Sequence, residues 1–572
     1  MESWGVGETW GVDHQRLARG AIRNLSYFAL ACLVVLTPPL VAADRRATQN
    51  TIPQVELINN ALQSQWDAYG LTPAPDEEDQ KWCRRVFLDL IGRIPSRGET
   101  QEFVADKGDR RRNLVVRLLN DDEYAAEFAN HWATIWSNLL IGRSGGNDRN
   151  SMVSRAGMNK YLRDSFATNK PYNQMVFELL TASGTTEPGT DDFNGATNFL
   201  IDKVNMENGT LATSSTSRIF LGLQVQCTQC HNHPFNEWKQ QKFWEFNAFF
   251  RQTRALRRFV PGTREIAYGQ LIDQDFAGDG GQPQEAEIYY EERNGLTRIA
   301  YPVFVDGTEI GRNGYVGEVN RRRELAKLLL TSEYLDRMIV NRMWAHFLGY
   351  GFTRPLDDLG PHNTPSHPEL LNSLGSELRN SSYDLRMLMM WITLSKPYQL
   401  SSRINSKNES DDPSLGEAPQ FSHFYIRQMS AEQLYQSLVL VGGEMDGSLE
   451  QQQQERDRWL SQFVVAFGTD EGDEATTFNG SIPQALMMFN GELARRATRS
   501  SGNGWLGQVL ANPTSFSEKV NLLFQAGLSR SPTRDELGIA SNLLRARDGK
   551  VIEALEDLWW AVLNSNEFIL VQ

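Results

Sequence analysis

The chain has 572 residues, a net charge of −14 and a mean hydropathy of −0.45, enough length for two or three domains with cores of their own. The acidic balance, with no basic stripe, excludes a nucleic-acid binder, because phosphates need a cationic surface. Four cysteines in 572 residues are too few for a disulfide scaffold.

At the start of the chain Arg16, Arg19 and Arg23 form a basic flank, residues 27–36 are almost wholly apolar, and Val41 and Ala43 precede Asp44. That order predicts a signal peptide over residues 1–43. The apolar run is shorter than the roughly 20 residues of a membrane span. An uncleaved N-terminal anchor is the alternative, and a membrane attachment is expected only in that case. The mature chain is expected outside the cytoplasm, in the periplasm or cell envelope. Cys32 leaves with the leader, so Cys83, Cys227 and Cys230 remain.

From residue 53 to about 250 the apolar spacing is helical: Val55, Leu57, Ile58, Leu62 and Trp66, then Leu114, Val115, Leu118 and Leu119. Residues 128–140 predict a further helix with three aromatic side chains. Residues 181–196 and 276–287 are rich in small and polar residues and read as loops. Residues 288–290 and 301–305, the latter followed by Asp306-Gly307, predict short strands with a turn. Helical spacing resumes at Arg321, and Gly349 stands where a helix would stop. Ser366 with Glu369, and Ser430 with Gln433, have the spacing of capping boxes. Residues 405–422 and 451–454 are polar and expected to be exposed. The fold class is mainly α: two helical domains, at 50–270 and 316–572, with a short β-containing connector at 271–315.

Cys227-Thr228-Gln229-Cys230-His231 is the attachment signature of c-type haem. Two thiols two residues apart can each bond one vinyl group of a porphyrin, and His231 then serves as axial ligand. Attachment of this kind takes place outside the cytoplasm, in agreement with the leader. The same segment can be read otherwise. Cys227, Cys230, His231 and His233 could hold zinc, and the two thiols could form a disulfide or a redox couple. His233, two residues from His231, cannot reach the opposite face of the same iron.

Around this motif Arg218, Cys227, Cys230, His231, His233, Pro234 and Trp238 resemble the central signature of planctomycete exported cytochrome-like proteins of unknown function. Arg84-Arg85 through Asp89, Gly92 and Pro95 is similar to the opening motif of that domain. Arg322, Glu324, Asn341, Arg342, Trp344, His346, Asp358, Gly360 and His367-Pro368-Glu369 resemble its second domain, as do residues 481–490, Arg530, Pro532, Glu536 and Glu567. The resemblance implies an exported, mostly helical two-domain protein, and no activity. It implies an exported sulfatase-like protein as a partner, whereas a redox partner is what the haem reading of Cys227, Cys230 and His231 implies.

The loop that holds Asp357, Asp358, His362 and His367 gathers two carboxylates and two imidazoles, the donor types of a metal-dependent hydrolase. The competing reading is a polar loop whose side chains cap turns. His131 and His346 sit beside tryptophans on helical spacing and read as core histidines. The chain carries no phosphate loop, no His-Glu-x-x-His and no Gly-x-Ser-x-Gly.

Overall fold

A computed structural model describes residues 51–572 apart from 147, 149, 205, 235–237, 444–457, 460–490 and 501–503. The leader at 1–43, the 451–454 run and the 481–490 motif lie outside the described residues. Proline at the first position opens the helix Pro53–Tyr69, where its missing N–H leaves no bond unmade, and Ile58, Leu62 and Trp66 bury one face. The aromatic helix is Asp122–Ile141, and Gly349 closes the helix Glu333–Leu348 as its spacing predicts. Ser430 and Gln433 form the full capping box at the head of the helix Ala431–Gly442.

The helix Asp79–Ile91 is buried from Trp82 to its end, charged residues included. Burial of charge is tolerated only when each group is paired or hydrogen-bonded. Arg84 donates to the carbonyls of Gly527 and Phe568 at 2.7 and 2.8 Å. Arg85 donates to those of Tyr398, Leu400 and Gln572, and its guanidinium lies 3.6 Å from the Phe424 ring centre. Asp89 accepts from Tyr398 Oη at 2.7 Å and from Arg427 at 2.5 Å. Desolvation pushes the Asp89 carboxyl up, and Arg427 and Tyr398 pull it back. This one helix thus fastens residues 398–427 and residues 527–572, and the described residues from 51 to 572 hold together as one compact unit.

The strands are few, and the fold is mainly α. Thr253–Phe259 and Ile266–Asp273 form an antiparallel hairpin, with Gly184–Thr185 on the outer side of its second strand. Ile288–Glu291 pairs with Thr297–Ala300 in a separate hairpin. Near the end of the chain Arg427–Gln428 pairs with Leu570–Val571. The main β hairpin therefore starts at Thr253, earlier than the spacing shows, and its sheet also takes in Gly184–Thr185. The second strand of the 288–300 hairpin ends at Ala300 rather than starting at Tyr301. Pro302 has no N–H to give a ladder, and Phe304 N–H turns back to Thr308 O at 2.8 Å.

Two local expectations change. Ser366 does not cap the helix Pro368–Asn380; its hydroxyl lies 2.9 Å from His367 Nδ1, and His367 is the N-terminal boundary residue. Residues 405–422 are not simply exposed, because Asp411 is buried there. Its carboxylate accepts from the N–H groups of Gln420 and Ser422, the Ser422 hydroxyl and Tyr425 Oη, at 2.6–2.9 Å. Among the described residues no helix is long and apolar enough to cross a membrane.

Candidate functional site

The helix Thr210–Thr216 runs into a wider, π-type turn at Ser217–Leu221, which delivers the Cys-x-x-Cys-His segment to the surface. Gly222 closes it at φ 64°, a conformation that suits glycine. A Cβ there would stand 2.8 Å from Met338 Sδ and 2.9 Å from Leu359 Cδ1, so a side chain would push away the later part of the chain. The backbone seals the approach: Leu359 N–H donates to Gly222 O at 2.7 Å.

Residues Gln226–Gln229 form a single tight turn that leaves Cys227 and Cys230 exposed as free thiols. Thr228 between them is buried, its hydroxyl on Val225 O at 2.6 Å. Gln240 Nε2 and Trp244 Nε1 both donate to Gln229 O, and Asn232 Oδ1 accepts from Gln240 N–H. The motif is thus anchored from below, with both sulfurs outward. Desolvation raises the Cys227 pKa above the ordinary thiol value, which disfavours a thiolate nucleophile near neutral pH.

His231 Nδ1 lies 2.7 Å from Asn232 O. A carbonyl only accepts, so Nδ1 carries the hydrogen and the neutral ring keeps its lone pair on Nε2. Metal-bound imidazoles are commonly oriented in this way, with the second nitrogen donating to a backbone carbonyl. Two outward thiols and an imidazole with a free Nε2 lone pair fit the donor set of a covalently attached haem. Among the described residues no three His, Cys, Asp or Glu side chains gather closely enough to hold a metal ion, so the four zinc candidates do not form a ready cluster.

The structure brings the second constellation to the same place. Asp357 Oδ1 accepts from Gln224 Nε2 at 2.7 Å, and its Oδ2 lies 3.4 Å from Arg218 NH1. Asp358 Oδ2 accepts from His362 Nε2 at 2.9 Å, and the His362 ring centre stands 6.0 Å from that of His233. His233 has its pKa lowered by desolvation and next by His362, with Asp358 acting in the opposite sense. A cleft of about 710 Å³ opens here, lined by Arg218, Gln224, Gln226, Cys227, His233 and Asp357 among others.

His367 does not join this group. It packs on Phe352 and Phe421, and burial pushes its pKa down to about 4. His131 and His346 each place Nε2 3.3 Å from Asp89 O, and burial brings both to about 3. Sequence reasoning missed Arg218 and Gln224 as partners of Asp357. They are 139 and 133 residues away from it, and no local spacing carries such a signal.

Residues 57–255 match a family model described as a protein of unknown function (DUF1549), and residues 321–476 match one described as a protein of unknown function (DUF1553). No curated protein and no solved structure matches the chain. The Cys-x-x-Cys-His turn lies in the first matched segment and the Asp357–Asp358–His362 loop in the second, so the cleft is built by both. The chain belongs to the two-domain family of unknown function that these two models define.

Proposed function

We propose that this is an exported redox protein that carries a c-type haem on Cys227 and Cys230, with His231 as axial ligand. The observation that carries the reading is the outward presentation of both thiols beside an imidazole whose Nδ1–H is held by Asn232 O. When bound, such a haem supplies one-electron transfer. The chain's own residues do the rest. Thr228 and Gln240 fix the turn, Asn232 orients His231, and the second matched segment closes one side of the cleft through Leu359 and Asp357. The signal-like leader supports export, where haem attachment occurs, and a soluble redox protein is the partner class that follows.

Mass spectrometry of the peptide spanning residues 226–240 tests this, using full-length protein matured in a host competent for haem attachment. The expected result is a haem mass addition that disappears in Cys227→Ala. An unmodified peptide, with zinc in the purified protein or a 227–230 disulfide by thiol titration, would replace the haem reading by one of those two.

A further inference from the structure

We propose that the end of the hairpin Thr253–Asp273 is a docking tip for an anionic lipid bilayer, independent of the Cys-x-x-Cys-His site. Every residue from 257 to 265 is exposed. Gly262 turns the chain at φ 77°, and a Cβ built on it would meet no atom within 4 Å, so the turn opens onto free space. Phe259, 52% exposed, and Val260, 36% exposed, lie at this end beside Pro261. A register shift sets Phe259 opposite Ile266, which widens the apolar end. Arg257, Arg258 and Arg264 flank it. Among the described residues none of the three meets a carboxylate: Arg258 donates to the neutral Gln270 Oε1, and Arg257 and Arg264 have no hydrogen-bond or ion-pair partner. Residues 253–268 hold four arginines and one acidic residue, Glu265, so the hairpin end is cationic in a chain of net charge −14.

Charged side chains on the outer strand of a sheet also discourage edge-to-edge pairing, and Thr253–Phe259 is such a strand. That role accounts for Arg257 and Arg258. It does not account for Arg264, which lies beyond the strand, or for the apolar end. Nine exposed residues at the end of a hairpin present far less than the roughly 800 Å² that each side of a stable protein interface buries. A bilayer takes such an end differently. Phe259 and Val260 enter the boundary between headgroups and acyl chains, while the guanidiniums stay at the phosphates with their stems along the apolar surface. A wholly polar polyanion would use the arginines and leave the apolar end in water.

The test is co-sedimentation of the purified protein with phosphatidylcholine vesicles that contain or lack phosphatidylglycerol. Wild type is expected to bind the anionic vesicles far more tightly, and less so as salt rises. The triple variant Arg257→Gln/Arg258→Gln/Arg264→Gln is expected to lose on the order of 100-fold in affinity, because each arginine near an anionic surface contributes about fivefold. Arg257→Lys/Arg258→Lys/Arg264→Lys is expected to keep most of the binding, since the charge is retained. Phe259→Ser/Val260→Ser is expected to weaken binding severalfold and to keep its salt dependence. All comparisons are between variants of one chain, so any retained leader contributes equally to each. Equal binding by wild type and the triple glutamine variant, or no preference for phosphatidylglycerol, overturns the proposal. Retention on a sulfated polysaccharide without vesicle binding also overturns it, and assigns the tip to a soluble polyanion.

Discussion

Two places in this molecule bring together the same residue types from distant parts of the chain, with opposite consequences. Around Asp89 a carboxylate, arginines, a tyrosine hydroxyl and two imidazoles are buried against one another. Around Asp358 the carboxylate holds His362, whose ring stands 6.0 Å from that of His233, and His233 lines an open cleft with Cys227 and Asp357. In the first, arginines and histidines spend their hydrogen bonds on backbone carbonyls of other elements, which fastens the fold. In the second, Cys227 is exposed beside an open cleft, while the carboxylates bond to side chains, Asp357 to Gln224 and Asp358 to His362. The distinction is set by accessibility and partners, not by residue type.

Asp89→Ala breaks the first place most sharply. It leaves Arg427 and Tyr398 buried without their acceptor, and denaturant unfolding should show a loss of about 3–5 kcal/mol. Asp411→Ala should come next, on the order of 3 kcal/mol, because Ser422 and Tyr425 lose a buried acceptor. Asp358→Ala at the cleft should cost less, about 1 kcal/mol, the range of partly exposed side-chain hydrogen bonds to His362 and Gly360. If Asp358→Ala destabilised as much as Asp89→Ala, the cleft would be part of the scaffold. Cys227→Ala should change stability least, within about 0.5 kcal/mol, because the side chain is exposed; on the proposed function it also removes one attachment point.

Acid separates the two places as well. His131 and His346 titrate near 3 in the fold, and His367 near 4, against about 6.5 in an unfolded chain. With folded values below unfolded ones, the unfolded chain binds more protons as pH falls. Stability from these three neutral rings is fully present above about pH 6.5 and is lost progressively from there down to about pH 3–4. The double variant His131→Gln/His346→Gln should flatten that part of the stability–pH curve. An unchanged curve would show that neither ring is held neutral by burial.

Much of the architecture was legible in the sequence, wherever a local rule applied. The helices Pro53–Tyr69 and Asp122–Ile141, the stop at Gly349 and the capping box at Ser430 all follow from spacing and end chemistry within one segment. The hairpin at Thr253–Asp273 was not legible, because its arginines and short apolar run follow a helical stretch without a change in composition. Asp411 looked like a surface residue in a polar stretch, and only its four acceptor contacts explain its burial. At the site, the Cys-x-x-Cys-His turn and the Asp357–Asp358–His362 loop were each legible as candidates. Their meeting was not, since it depends on the Leu359–Gly222 bond and on the space that Gly222 leaves. His367 was grouped with His362 by sequence nearness alone, and the fold sends it into an aromatic pocket.

The most direct test of the account is the visible absorption spectrum of the exported full-length protein before and after dithionite, paired with a haem stain on a denaturing gel. The account predicts a Soret band that sharpens on reduction and a stain that is absent in Cys227→Ala. A colourless, unstained protein from a host that attaches haem to a control cytochrome would contradict it.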